Sequence, residues 1–206
     1  EQSDVLIGVG FEPVESDKLW HHTSHLVSIG AVSIAHGEFR PAVEAVGDVP
    51  AILGSLCREQ LGPLDWTGTA GARFRADLDA ALRPSTPPRG LSGFELTRRL
   101  RELFPRDTVL VTDVGSVKMI ISQAWASYEP LNFFESNGLS AMSYSFPGAM
   151  AARLQFPNRP ILCTIGDGGF GMTLAEIETC IRERLHFVTV IFNHSSLSLI
   201  HAWHQG

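Results

Sequence analysis

Three short segments of this sequence are uninterrupted runs of apolar and β-branched residues, at positions 108–112, 161–165 and 187–192. A strand with one face in water alternates apolar and polar side chains, whereas a parallel strand covered on both faces does not. Segments with helical spacing separate the three runs. We therefore predict an α/β fold with a doubly wound parallel sheet, which binds ligands beyond the carboxyl ends of its strands.

The first part of the chain predicts a second, smaller unit of the same kind. Residues 4–9 and 26–35 have the composition of short buried strands. Residues 50–57 have that of a short helix, and the segment Gly47-Asp48-Val49-Pro50 before it is typical of a helix start. Together they predict part of a Rossmann-like α/β domain.

A proline-rich segment separates the two units. Residues 84–90 hold three prolines in seven positions, and residues 72–83 before them have helical spacing. The chain begins at Glu1 without a methionine and ends at Gly206 soon after an apolar helical run, so we interpret it as an excerpt of a longer protein. The regions we predict are a partial central domain over 1–60, a linker over 61–90 and a C-terminally incomplete binding domain over 91–206.

Two capping boxes mark predicted helix starts in the last region. In such a box a hydroxyl accepts from the backbone three residues on, and the acidic side chain there bonds back. Ser92 and Glu95 form the first, and Thr173 and Glu176 form the second. The helix after the second box is predicted to bury Leu174, Ile177 and Ile181.

Composition excludes several classes of protein. Hydrophobic residues make up 44% and charged residues 18%, as in an ordinary folded domain. The net charge of −6 and the absence of Lys/Arg clusters argue against a nucleic-acid partner. The apolar runs are too short to cross a bilayer, and residues 1–9 predict a strand rather than a signal peptide. Cys57, Cys163 and Cys180 lie in apolar patterns, which favours reduced thiols in a cytoplasmic protein.

The segment GDGGFGMT, residues 166–173, places Asp167 between glycines at the end of a predicted strand. Asn193 ends the next strand, 26 residues later. Both would meet at one sheet edge, where a carboxylate, an amide oxygen and a backbone carbonyl suit Mg²⁺. The glycines and the helix start that follows leave N–H groups for a phosphate. Alternatively, Asp167 is a simple helix cap in a tight turn. Asp113 in TDVG is likewise open to two interpretations, a cap at the strand end or a functional residue.

Longer motifs around these residues resemble a known family. The segment GDGGFGMTLAEIETCIRERLHFVTVIFNHSSLSLI, residues 166–200, resembles the cofactor signature of the acetolactate synthase-like, thiamine-diphosphate-dependent enzymes. VTDVGSVKMIISQ at 111–123 and ESNGLSAMSYSFPGAMAARL at 135–154 resemble other segments of the same cofactor domain. GVGFEPVES and VEAVGDVPAIL, in residues 8–53, resemble the latter part of the family's central domain.

The resemblance implies roles for particular residues. It implies that the Asp167 and Asn193 side chains and the main-chain oxygen of Ser195 bind Mg²⁺. It places Met142 beneath a bent thiamine diphosphate and Ser140 beside its aminopyrimidine. The remaining cofactor contacts that it implies are the segment around Ser116, with Gly168, Gly169 and Leu197.

The chain departs from the family pattern at two positions and lacks one domain. Val117 stands where relatives often carry His, and His194 where Asn or Asp is commoner, which makes substrate choice less certain. The family's catalytic glutamate lies in an N-terminal pyrimidine-binding domain, and no segment here resembles it. We expect no catalytic residue in this chain, no turnover from these residues alone, and an active site shared between subunits of a homodimer or homotetramer.

Two functions of different class remain open. One is a decarboxylase and carboligase, a lyase or transferase acting on a 2-oxo acid such as pyruvate. The other is a non-catalytic homologue that binds the cofactor or a partner. GVGFEP is a weak dinucleotide fingerprint, because it lacks the third glycine. Flavin binding stays undecided, because the segments that bind FAD in some relatives would precede Glu1. A zinc site is disfavoured, because no cysteine stands at ligand spacing from the histidines, which are His21, His22, His25, His201 and His204.

Overall fold

The computed structural model describes residues 4–11, 25–35, 39–59, 68–83, 91–193 and residue 200. The chain divides into two compact units, Glu1–Thr67 and Gly68–Gly206. The division falls inside the segment 61–90 that the sequence predicts as a linker.

The first unit contains a three-stranded parallel sheet and one helix. Strands β1 (Leu6–Val9), β2 (Leu26–Gly30) and β3 (Val43–Val46) lie in the order β1-β2-β3. Helix α1 (Val49–Leu56) follows at once, and the Asp48 carboxylate accepts a hydrogen bond of 2.7 Å from the N–H of Ala51. The predicted cap is therefore present. β3 was not predicted, because Glu44 interrupts its apolar residues and no continuous apolar run marks it.

The second unit is built on a four-stranded parallel sheet. Its strands are β4 (Val109–Thr112), β5 (Phe133–Glu135), β6 (Ile161–Gly166) and β7 (Val188–Phe192), in the order β5-β4-β6-β7. Every pairing in this sheet is parallel. The α/β fold with a parallel sheet is thus confirmed, and the three apolar runs lie at β4, β6 and β7.

Both faces of this sheet are covered, which explains the uninterrupted runs. Val109 and Val111 of β4 pack with Phe146 and other residues of one core cluster. Leu110, between them, points to the opposite face and packs with Ile121 in a second cluster. Each strand residue therefore meets an apolar layer. β5 and β7 are the exceptions, because among the described residues each pairs with one strand, and their side chains are less buried.

Helices supply the two layers. Helices α3 (Gly93–Leu103) and α4 (Ser116–Ala124) cover one face of the sheet, and α5 (Ser145–Gln155) covers the other. The remaining helices of this unit are α2 (Thr69–Leu82), α6 (Asp167–Met172) and α7 (Glu176–Arg182). In the part of the chain that the structure describes, no helix is long and apolar enough to cross a membrane.

One predicted capping box is confirmed and the other is wrong. The Ser92 hydroxyl accepts from the N–H of Glu95 at 3.1 Å, and the Glu95 carboxylate bonds back to the Ser92 backbone. Helix α7 instead begins at Glu176, with Ala175 as an N-cap that makes no side-chain bond. The Thr173 hydroxyl accepts a hydrogen bond from the Ser143 hydroxyl at 2.8 Å, 30 residues away in sequence.

The predicted burial of Leu174, Ile177 and Ile181 is also wrong. Helix α7 begins at Glu176, so Leu174 lies before it, and all three side chains are exposed. The exposed fractions are 52% for Leu174, 37% for Ile177 and 72% for Ile181.

Candidate functional site

The carboxyl ends of β4, β6 and β7 bring three polar residues to one edge of the sheet. Gly166 pairs with Phe192 in the β6–β7 register, so Asp167 and Asn193 are the next residue on each of two adjacent strands. Thr112 pairs with Thr164, and Asp113 follows Thr112 with its N–H bonded to the Thr164 carbonyl at 2.9 Å. The structure therefore places the two predicted metal-binding side chains on neighbouring strand ends.

The predicted diphosphate residues begin the two helices that follow these strands. Ser116 is the first residue of α4, after Gly115, whose φ of +93° favours glycine. Asp167 is the first residue of α6, and Gly168 and Gly169 are the next two. Gly168 is exposed, whereas Gly169 is buried.

Gly169 has a structural reason to be glycine that the sequence did not indicate. A Cβ built on it would lie 2.1 Å from Oδ2 of Asp113, closer than any real contact. The turn at the start of α6 is therefore packed against the carboxylate that ends β4. This close approach brings the VTDVG and GDGG motifs together.

Residues Ser140 and Met142 lie on a loop between β5 and α5. Ser140 has a φ of +43° and Ser143 a φ of +72°, in the left-handed region that non-glycine residues seldom adopt. Met142 exposes 41% of its surface. The loop is thus held in an uncommon backbone conformation with the two predicted cofactor residues on it.

Hydrogen bonds from α4 fix the beginning of this loop. The Lys118 ammonium donates to the Ser136 carbonyl at 2.7 Å and to Oδ1 of Asn137 at 2.9 Å. The Ser140 hydroxyl donates to the same Ser136 carbonyl at 3.3 Å. Lys118 was not predicted from the sequence. The signal that could have identified it is its position, two residues after the predicted Ser116.

Asp113 fixes the end of the same loop. Its side chain is 1% exposed, and Oδ2 accepts from the Ser143 N–H at 3.0 Å. Burial raises the pKa of this carboxyl, while the backbone N–H groups of Ser143, Val114, Ser145 and Tyr144 act in the opposite direction. The sequence left Asp113 open between a local cap and a functional role, and the structure shows a contact across 30 residues.

Several of the predicted residues lie in parts of the chain that the structure does not describe. Ser195 and Leu197 lie outside the described residues, as do His194, His21, His22, His201 and His204. Val117 is described and is 2% exposed in the core cluster beneath the sheet. No group of three His, Cys, Asp or Glu side chains within the described ranges is arranged to bind a metal ion. A site made of Asp167, an amide and a main-chain oxygen contains only one such residue.

Comparison with known proteins agrees with this geometry. Residues 113–206 match the family described as thiamine pyrophosphate enzyme, C-terminal TPP binding domain. The chain is 28% identical to the acetolactate synthase of Bacillus subtilis over 97% of its own length. It is 30% identical to the acetolactate synthase isozyme 2 large subunit of Escherichia coli over its full length. It is 29% identical to the sulfoacetaldehyde acetyltransferase of Castellaniella defragrans over 48% of the chain.

The parallel sheet, its polar strand ends and the matched segment define a thiamine-diphosphate-binding domain. The chain belongs to the thiamine-diphosphate-dependent, acetolactate synthase-like family, as the resemblance implied. It spans 36% of the length of the Bacillus relative and 38% of that of the Escherichia relative.

Proposed function

We propose that this chain forms the diphosphate-binding part of a thiamine-diphosphate- and Mg²⁺-dependent enzyme that acts on a 2-oxo acid such as pyruvate. The observation that carries this proposal is the position of Asp167 and Asn193, which directly follow the paired residues Gly166 and Phe192. The cofactor would supply the electron sink for decarboxylation, and the protein would hold it and exclude competing reactions.

The donor set supports Mg²⁺ as the metal. A carboxylate oxygen from Asp167 and an amide oxygen from Asn193 are hard ligands, and Mg²⁺ commonly completes its shell with water and phosphate oxygens. We propose the main-chain oxygen of Ser195 as the third protein ligand. Held by these residues, the metal would supply positive charge that offsets the charge of the diphosphate.

The residues proposed to contact the cofactor itself come from four places on this unit. Ser116 begins α4, and Ser140 and Met142 lie on the loop before α5. We propose that Ser116, Gly168 and Gly169 contact the diphosphate and that Ser140 and Met142 contact the rings. Leu197 is proposed as a further contact.

The reaction proposed is decarboxylation followed by carboligation. Two of the relatives are named acetolactate synthases and a third is named a sulfoacetaldehyde acetyltransferase, which supports a group-transfer step. The catalytic glutamate is proposed to come from a pyrimidine-binding domain of a partner subunit, in a homodimer or homotetramer. The three cysteines are unpaired, which is consistent with the proposed cytoplasmic location.

Calorimetric titration of the full-length protein with thiamine diphosphate tests the metal-linked site. Affinity is expected with Mg²⁺ and little or none with excess EDTA. Asp167→Asn should weaken binding by at least about 10–100-fold, the loss typical of removing even an outer partner of a bound metal, because it removes the one carboxylate among the proposed Mg²⁺ ligands. Equal affinity with and without EDTA would exclude the metal bridge.

A matched control separates this effect from a general change of charge. Asp107 lies in the exposed turn before β4, at the opposite end of the same sheet. Asp107→Asn removes the same charge and is expected to leave the Kd within about twofold. Pyruvate-dependent CO₂ release by the wild-type protein then distinguishes an enzyme from a non-catalytic homologue that only binds the cofactor.

A further inference from the structure

The segment from Ser136 to Ser143 is attached to the sheet edge at both of its ends. Lys118 of α4 holds the first end through the Ser136 carbonyl and Asn137. Asp113 holds the second end through the Ser143 N–H, at 3.0 Å. Between these attachments lie Ser140 and Met142, and Leu139 beside them is 97% exposed. The loop projects from the fold and has its conformation set by its ends.

Asp113 also contacts the other half of the proposed cofactor site. Its Oδ2 occupies the space that a Cβ on Gly169 would need, at 2.1 Å. One buried carboxylate oxygen therefore touches the GDGG turn and bonds to the loop that carries Met142. The Ser143 hydroxyl adds a second link, donating at 2.8 Å to Thr173, which directly follows α6.

The left-handed conformation of Ser143 shows that these contacts determine the loop geometry. A non-glycine residue in that region typically costs about 1–3 kcal/mol and persists only where the surroundings enforce it. Ser143 is 6% exposed and has its N–H and its hydroxyl both engaged, by Asp113 and by Thr173. Without the Asp113 oxygen, the Ser143 N–H would lose the acceptor that holds it in this conformation.

We propose that Asp113 is a positioning residue that fixes the loop 140–143 against the first turn of α6, so that the ring-binding and diphosphate-binding groups keep one relative geometry. This inference rests on the proposed function for its consequence, the binding of thiamine diphosphate. Its structural content, the attachment of the loop, is independent of any ligand.

Amide hydrogen exchange of the full-length, cofactor-free protein tests the attachment directly. In Asp113→Ala, exchange over residues 139–145 should accelerate at least tenfold, as expected for loss of a bond to a charged acceptor. Asp113→Asn keeps an oxygen for the Ser143 N–H and should remain within about threefold of wild type. Unchanged exchange in Asp113→Ala would overturn the proposal.

The consequence for the cofactor is measured by calorimetry with thiamine diphosphate and Mg²⁺. Asp113→Ala should raise the Kd about tenfold or more, and Asp113→Asn should restore most of the affinity. A wild-type protein that binds no thiamine diphosphate would refute the proposed function, while the exchange experiment would still decide the attachment. A weakened Kd with wild-type loop exchange would contradict positioning.

A buried residue of the same strand provides the control for loss of stability alone. Leu110 of β4 is 0% exposed and packs with Ile121, in a cluster that includes no residue of the loop. Leu110→Ala should destabilise the unit but leave loop exchange and Kd within about twofold of wild type. Equal acceleration in this variant would overturn the specific role of Asp113.

A second variant applies if Asp113→Ala does not fold. Thr173→Val removes the acceptor of the Ser143 hydroxyl from a partly exposed position. It should accelerate exchange over residues 139–145 about threefold or more. Wild-type exchange in Thr173→Val would show that these contacts do not hold the loop.

Discussion

Replacing Gly169 with alanine is expected to destabilise the second unit, although the same change in an ordinary helix stabilises it. A Cβ at this position would lie 2.1 Å from Oδ2 of Asp113 and 3.3 Å from Cγ1 of Ile165. Gly169, Asp113 and Ile165 are all buried. Either the α6 backbone or the Asp113 carboxylate therefore has to move.

One stabilising and two destabilising effects decide the change in unfolding free energy. Alanine is favoured over glycine inside a helix by about 1 kcal/mol. Overpacking a buried position typically costs about 1–3 kcal/mol. A carboxylate displaced from the Ser143 N–H forfeits a further ~1.5–3 kcal/mol, the usual contribution of a hydrogen bond to a charged group. We expect a net loss of about 2–4 kcal/mol in the free energy of unfolding of this unit.

Amide exchange over β6 (Ile161–Gly166) at increasing urea reports the stability of this unit within the full-length protein. Gly171 is the matched control, because it lies in the same helix and a Cβ there would meet nothing within 4 Å. Gly171→Ala should be neutral or stabilising by up to about 1 kcal/mol. A Gly169→Ala variant as stable as Gly171→Ala would refute the reasoning from the close approach.

Further predictions concern a loop attachment, a helix cap and a buried thiol. Lys118→Met should accelerate exchange over residues 136–140, because the ammonium donates to Ser136 and Asn137, with a loss of unfolding free energy below about 1 kcal/mol. Ser92→Ala should lower the unfolding free energy by about 1 kcal/mol, because it removes the confirmed capping box. Burial raises the pKa of Cys163 from an ordinary 9.0 to about 12, so the folded state keeps the thiol protonated. The stabilisation is present below the unfolded pKa and is lost between pH ~9 and 12, and urea titrations should show this loss weakened in Cys163→Ala.

Sequence patterns predicted the central strands because burial on both faces leaves a direct mark on composition. Val109 to Val111 and Ile161 to Ile165 are all within 3% exposure, so every position selects an apolar or β-branched side chain. β5 has three half-buried residues and β3 has two half-buried and two exposed ones, so neither has the uninterrupted apolar run of a strand covered on both faces. The missed start of α7 has another origin, since Thr173 bonds to Ser143 across 30 residues.

The candidate site also has one part that the sequence predicts and one part that it does not. Asp167 and Asn193 could be predicted together, because parallel strands joined by a crossover bring their carboxyl ends to one edge. The loop with Ser140 and Met142 gives no such signal, because its left-handed positions are occupied by serines where glycine would have marked a turn. Its conformation depends on Asp113 and Lys118, which are distant in sequence and belong to other elements.

The Asp113–Gly169 contact is itself open to a decisive test by a double-mutant cycle. Removing the carboxylate in Asp113→Ala also removes the atom that a Cβ on residue 169 would strike at 2.1 Å. In that background Gly169→Ala should lose at least about 2 kcal/mol of its destabilising effect, because only helix propensity and the 3.3 Å approach to Ile165 remain. The four proteins are compared by exchange over β6 under urea. If the two substitutions add within about 0.5 kcal/mol, Ile165 and not Asp113 is the neighbour that requires glycine here, and the link between the two motifs is lost.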